Sequence, residues 1–430
     1  MHQIDYDLNI DEICKIEGEA GLEIKVRAGK VEDIKFKIQE YKRFFSQGIV
    51  GKSAIAAPQF LARICGTCSN AHILASSEAV EKALGVQNTK QTDILKKLMI
   101  NGLMIRDHAL HLYIFALPDI FNRDSLMDFD ENDPTEHQFL HDALKVKSAG
   151  NKLQVFFAGR SVHAPFAGVG GFTKIPTEDP KQFIPILEDA RPAVLRLINI
   201  FNERMVEFER KTHLLAIRGN DGWNFLEGVI KTTCGNDIAE QDMRKHLDMK
   251  IIPYSQARGY QYKGDSLMVG ALARLYHNRD QLHERTKKDI KNIYDKFSTI
   301  NPYMNNVAQA IEILHSIDET IDILENLKLI QEPRAIPTAK DGKAVGVIEA
   351  PRGLLYYNFE IENQIIKKMR IVIPTAINQI NIERDIGKIV EENIDMNREE
   401  LVLKIEKLIR AYDPCMSCAS HFLKVKWDIA

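Results

Sequence analysis

The chain has few cysteines, no long apolar run and no marked excess of either charge. Six cysteines in 430 residues are too few for a disulfide framework. Four of the six fall in two short motifs, which leaves Cys14 and Cys234 as isolated thiols, and the pattern fits a reducing, intracellular setting. No stretch approaches the ~18 apolar residues of a membrane helix. The first residues, Met1-His2-Gln3-Ile4-Asp5-Tyr6-Asp7, are acidic and do not read as a signal peptide. A net charge of −3 provides no electrostatic footprint for nucleic acid or an anionic membrane. Repeats, low-complexity stretches and Pro/Ser linkers are also missing. With 45% hydrophobic and 27% charged residues, what remains is an ordinary core-forming chain. It is expected to be one unit over residues 1–430, working in the cytoplasm.

The feature that stands out is a pair of Cys-x-x-Cys motifs at opposite ends. The first reads Arg63-Ile64-Cys65-Gly66-Thr67-Cys68, followed by His72. The second reads Asp413-Pro414-Cys415-Met416-Ser417-Cys418, followed by His421. Two thiolates three positions apart reach one soft metal centre, and two such pairs make a four-sulfur site. Structural zinc or a rubredoxin-like iron is the plain alternative, but zinc ribbons usually hold their pairs within ~20 residues. Here the pairs meet only when the whole chain has folded, which argues for a buried active centre.

Coarse patterning predicts a mainly α, multihelical fold with small β-sheets near the N- and C-terminal regions. Residues 22–38 alternate around Ala28-Gly29 as a hairpin. Helical spacing runs from the first cysteine motif to Leu84, from about 92 to 117, and over roughly 181–214, 280–300, 303–328 and 397–411. Residues 159–171 form a glycine-rich loop, and 343–377 read as short strands around Pro351-Arg352-Gly353.

The flanks of the cysteines, Arg-x-Cys-Gly-x-Cys-x-x-x-His and Asp-Pro-Cys-x-x-Cys-x-x-His, resemble the signatures of the nickel–iron hydrogenase large subunit. Ile16-Glu17-Gly18, the loop around His163, Glu349-Ala350-Pro351-Arg352-Gly353 and Pro374-Thr375 with Asn378 extend the resemblance over nearly the whole chain. It is most like the cytosolic or uptake branches. The resemblance implies a large-subunit fold and reversible cleavage of dihydrogen to protons and electrons. Its metal centre would be nickel held by Cys65, Cys68, Cys415 and Cys418, with Cys68 and Cys418 bridging to an iron that carries carbon monoxide and cyanide. It also implies His72 as a donor to a bridging sulfur and Arg352 over the open metal position, between Asp107 and Asp413. Glu17 would take the proton from Cys415. The electrons would pass through an iron–sulfur small subunit to further electron-transfer subunits. Maturation proteins and an endopeptidase acting after His421, on the tail 422–430, belong to the same picture. A hydrogen sensor using the same site is the alternative role. A quinone-site relative from respiratory complex I would have lost its cysteines, and all four are here.

The chain also departs from that pattern. The family's glutamate for a magnesium or iron ion, shared with His421, falls on Ser46, a poor hard-cation ligand. Glu40 and Gln47 stand nearby as substitutes. Thr67 and Phe115 occupy positions that are usually small and aliphatic along the gas passage, which predicts a narrowed channel.

Overall fold

The computed structural model describes residues 5–41, 43–294 and 297–420. Strands β1 (Tyr6–Ile10), β2 (Ala20–Arg27) and β3 (Lys30–Ile38) form an antiparallel sheet, ordered as in the sequence. Its β2–β3 turn is made by Ala28 and Gly29, both at positive φ (53° and 71°), a turn whose twist matches the paired strands. Helix α1 (Ser69–Leu84) leaves directly from Cys68. Helix α2 (Lys90–Ala109) starts where the Thr89 hydroxyl accepts from Thr92 N–H at 3.0 Å, and it runs on through a wider π-type segment, Leu110–Ala116.

Helix α3 (Pro134–Ala158) is capped by the Asp133 carboxylate, which accepts from Thr135 and Glu136 N–H. It crosses α2 at very close range. A Cβ on Gly150 would stand 2.7 Å from the Arg106 nitrogen and 2.9 Å from the Gly102 carbonyl, so only glycine permits this crossing. Helix α4 (Ile184–Glu203) follows and stops well short of residue 214.

The chain then turns to β-structure that helical spacing does not predict. Strands β4 (His213–Arg218), β5 (Val229–Thr232) and β6 (Asp237–Ile238) form a sheet that is joined in parallel by β9 (Leu267–Met268). Strands β7 (Leu247–Ile251) and β8 (Arg258–Tyr262) pair separately. The small sheets are therefore not confined to the ends. The run HLLAIR in β4 is apolar throughout its middle and buried on both faces, a pattern that periodicity cannot separate from a buried helix.

Helix α5 (Ala271–Asn278) and the buried α6 (Met304–Asn326) complete the helical core, and the described residues of 280–300 hold only short helical pieces. Strands β10 (Gly342–Ala350), β11 (Gly353–Glu362) and β12 (Ile365–Val372) make a meander, and Pro351-Arg352 is its first turn. Helix α7 (Pro374–Glu392) begins at Pro374, where the strand pattern was expected to continue to 377. Helix α8 (Arg398–Ala411) is capped by Asn397, carries Glu399 and Glu400 in its first turn, and delivers the second cysteine motif. Among the described residues no helix is long and apolar enough to cross a membrane.

Candidate metal centre

The two cysteine motifs, 350 residues apart, meet in the core. One sulfur from each of Cys65, Cys68, Cys415 and Cys418 falls in a set whose members all lie within 4.8 Å of one another, and all four residues are buried. The first motif folds around its own sulfur: Thr67 and Cys68 donate N–H to Cys65 Sγ at 3.4 and 3.2 Å. Across the cluster, Cys65 Sγ stands 3.6 Å from Cys415 and Cys68 Sγ 3.3 Å from Cys418.

The second motif is held on three sides. Cys415 N–H donates to Thr375 Oγ1 at 2.8 Å, which ties the motif to the first turn of α7. Met416 N–H donates to the Glu17 carbonyl at 2.8 Å, so the N-terminal segment forms a bridge beside Cys415. Asp413 takes φ of 48°, a left-handed conformation that Asp tolerates better than most residues, and so turns the chain from α8 into the motif. Asn378 grips the Val269 peptide from both sides and locks α7 against the central strands.

Several of the polar residues singled out in the sequence lie beside the sulfurs. Glu17 Oε2 lies 2.9 Å from Cys415 Sγ and accepts from Ser417 N–H at 3.2 Å. Burial, with Cys65 nearby, pushes its carboxyl up from the usual range. His72 Nε2 is 3.4 Å from Cys418 Sγ, and Nδ1 is 2.7 Å from the Tyr357 hydroxyl. Burial depresses the imidazole to about 4 and pushes the phenol well above its ordinary value. The buried imidazole is therefore neutral and stands between the Tyr357 hydroxyl and the Cys418 sulfur.

Arg352 donates from Nη2 to Asp413 Oδ1 at 2.8 Å, and its Nη1 lies 3.3 Å from Asp107 Oδ1. All three residues are buried. A cavity of about 10 Å³ is lined by Arg352, Thr375, Cys68, Cys415 and Cys418, enough for one very small guest. The thiols differ in acidity. Burial disfavours the Cys65 thiolate, but hydrogen bonds from Cys415, Cys418 and Cys68 outweigh it and hold Cys65 well below the ordinary range. Burial pushes Cys415 and Cys418 well up. Loading a metal onto this set would release protons. A soft, thiolate-only donor set of this span fits nickel and iron and offers nothing to a hard cation.

Sequence reasoning missed the support behind Arg352. Arg274 uses all five donors: two to Glu312 (2.6 and 2.7 Å), one to Glu349 (2.9 Å), and one each to the Ala350 and Pro351 carbonyls (3.0 and 2.8 Å). Glu312 also bonds His108 at 2.9 Å, and His108 follows Asp107 on α2. A closed polar ring thus runs from Arg352 through Asp107, His108, Glu312 and Arg274 to the peptide just before Arg352. Burial pushes Glu349 up to about 7, against the pull of Arg274. Behind Asp413, Gln309 donates to Oδ2 at 3.0 Å, and His111 bonds Gln309 at 2.6 Å. Phe115 packs edge-on against His111, and Thr67 Oγ1 sits 3.3 Å from Cys65 Sγ. His163 donates its N–H to Ser69 Oγ at 2.8 Å. Ser46 is half-buried on the wall of a separate cavity. His421 and the tail 422–430 lie outside the described residues.

A family model described as nickel-dependent hydrogenase matches residues 45–139 and 229–421, two thirds of the chain and both cysteine motifs. The chain belongs to the nickel-dependent hydrogenases. Members of that family are oxidoreductases acting on dihydrogen, and the four-cysteine cluster is its metal-binding centre here. The chain is 32% identical to the alpha subunit of sulfhydrogenase 1 from Pyrococcus furiosus, covering 99% of this chain and all of that one. It is 26% identical to one component of an F420-non-reducing hydrogenase from Methanococcus voltae, over 96% of this chain and 94% of that one. An NAD+-reducing [NiFe]-hydrogenase superposes with a TM-score of 0.86 at 22% identity, covering 97% of this chain and 99% of that one. The Ni-Fe-Se hydrogenase of D. vulgaris Hildenborough gives 0.80 at the same identity, over 97% and 100%. These last two likenesses bear on the fold.

Proposed function

We propose that this chain is the catalytic large subunit of a cytoplasmic nickel–iron hydrogenase that cleaves dihydrogen reversibly and heterolytically. The observation that carries the reading is the juxtaposition of four buried sulfurs, a carboxyl on one of them and an arginine fork beside them. Cys65, Cys68, Cys415 and Cys418 would hold a nickel–iron centre whose iron carries carbon monoxide and cyanide. Bound there, that centre supplies the two-electron chemistry of dihydrogen.

The chain's own residues do the rest. Cys415 Sγ takes up the proton, and Glu17, 2.9 Å away, receives it and passes it outward. Glu17 is only half-buried and precedes the exposed Gly18, so its carboxyl is the step between core and solvent. Arg352, fixed by Asp107 and Asp413, holds a preorganised positive charge over the small cavity. His72 donates from Nε2 to Cys418.

Electrons leave through a separate iron–sulfur small subunit, because Cys14 and Cys234 alone cannot ligate a cluster. Further electron-transfer subunits complete the assembly, and maturation proteins load the metal centre. A second magnesium or iron ion is left out of this reading. Ser46 offers a hydroxyl where a carboxylate is needed, and the charged residues on its cavity wall are all basic.

The test is an infrared spectrum of the anaerobically purified complex, with and without dihydrogen, together with proton–deuterium exchange by Glu17→Gln. One carbonyl and two cyanide bands that shift under dihydrogen are expected. The glutamine variant should keep those bands and lose exchange by about 10²–10⁴-fold. Nickel-loaded protein without bands would sink the reading. Full exchange by the variant would remove Glu17 from the route.

A further inference from the structure

The C-terminal meander has two faces, and only one looks at the sulfurs. On β11, Tyr357 points to His72. Its neighbours Tyr356 and Asn358 point the other way, into a cavity of about 790 Å³. Opposite them on β12 stand Val372 and Arg370, with Lys368 one pair further along. The facing wall comes from Arg244 and Lys245 and from β8, which adds Arg258 and Tyr260, while Lys343 enters from β10.

Among the described residues six cations therefore line this cavity, and no carboxylate does, in a chain whose net charge is −3. Their neutralisation is incomplete. Lys245 pairs with Asp242 at 2.6 Å, and Lys343 and Lys368 share Glu360 at 3.0 and 3.9 Å. Arg244 gives one N–H to the Leu247 carbonyl at 2.8 Å and lies over the Tyr260 ring. Among the described residues, neither Arg244 nor Arg370 has a carboxylate within 4.0 Å. Cations gathered around one cavity lie within about a Debye length of each other, so their fields add.

We propose that this cavity binds a small phosphate-bearing anion. The volume is that of a small-molecule site, about 300–1,000 Å³. Arginine forks match phosphate oxygens in pairs. Tyr356 and the amides of Gln47, Gln241 and Asn358 offer a flat wall and hydrogen bonds to the rest of such a ligand. The site abuts the metal centre: Ala419, the residue after Cys418, lines it, and Ile373 lines both this cavity and the one at the sulfurs. The inference rests on the cavity alone and stands apart from the hydrogenase reading.

The experiment is calorimetric titration of the purified complex with pyrophosphate at about 50 and about 200 mM salt. The wild type is compared with the double variant Arg244→Ala/Arg370→Ala and with Lys368→Glu, each checked for an unchanged circular dichroism spectrum and thermal unfolding. Saturable binding that weakens with salt, and falls by about tenfold or more in both variants, is expected. Absence of saturable heat, or binding undiminished in the variants, overturns the proposal. Binding of polyglutamate without binding of pyrophosphate also overturns it, and reassigns the cavity to an acidic protein segment.

Discussion

Arg352 shows how much of the site is decided by single side chains. Its guanidinium is kept charged by Asp107 and Asp413 against a heavy burial cost, and its fork meets one carboxylate with each nitrogen. Arg352→Lys retains the charge and loses the fork. We expect dihydrogen oxidation to fall by about 10²-fold or more while nickel content and infrared bands persist. A lysine variant with near-native turnover would mean that charge alone suffices. The placement of Glu17, His72, Arg352 and Asp413 close to the cysteine cluster was readable because each stands in or beside a motif. Tyr357, whose hydroxyl lies 2.7 Å from His72 Nδ1, carried no signal, because a tyrosine in a strand reads as packing.

At the scale of elements, close approaches decide where Asp107 and His108 stand. Gly150 is the contact point of α2 and α3, and Gly150→Ala pushes its methyl into the Arg106 backbone. A loss of about 1–3 kcal/mol in denaturant unfolding is expected; a neutral outcome would show that the helices can part without cost. A second link joins α7 to the N-terminal sheet: Glu383 accepts from Tyr254 Oη at 2.8 Å and from Phe36 N–H at 3.1 Å. Burial pushes this carboxyl up to about 7. In the unfolded chain it ionises near its ordinary value, so at intermediate pH the folded state holds a proton that the unfolded state has lost. Its contribution is full at acid pH and is lost as pH rises through about 7. Relative to wild type, Glu383→Gln should therefore gain about 1–3 kcal/mol of stability between about pH 5 and pH 8. Parallel stability–pH curves for the two proteins would refute the assignment.

Across the whole molecule, the ring through Arg274 couples α2, α5, α6 and the meander to Arg352. Arg274→Lys leaves Glu312 and Glu349 short of partners in the core. A loss of about 3–5 kcal/mol is expected, as for breaking a buried ion pair, with turnover falling further than the folded fraction. Adding Glu349→Gln should restore part of the stability, since the neutral amide no longer needs the cation. If Arg274→Lys unfolds like wild type, the ring is not a structural clamp.

The local chemistry of this protein was written in its sequence: two cysteine pairs, the residues flanking them, the hairpin around Ala28-Gly29 and helices α1, α2, α6 and α8. Each depends on neighbours a few positions away, and periodicity or spacing reports such neighbours. The central strands, the glycine contact at Gly150, the ring around Arg274 and the basic cavity behind β11 depend on residues brought together from distant segments. His108 and Glu312 stand 204 positions apart in the chain. Only packing decides that they touch, because a buried charge is stable only where the fold brings it a partner.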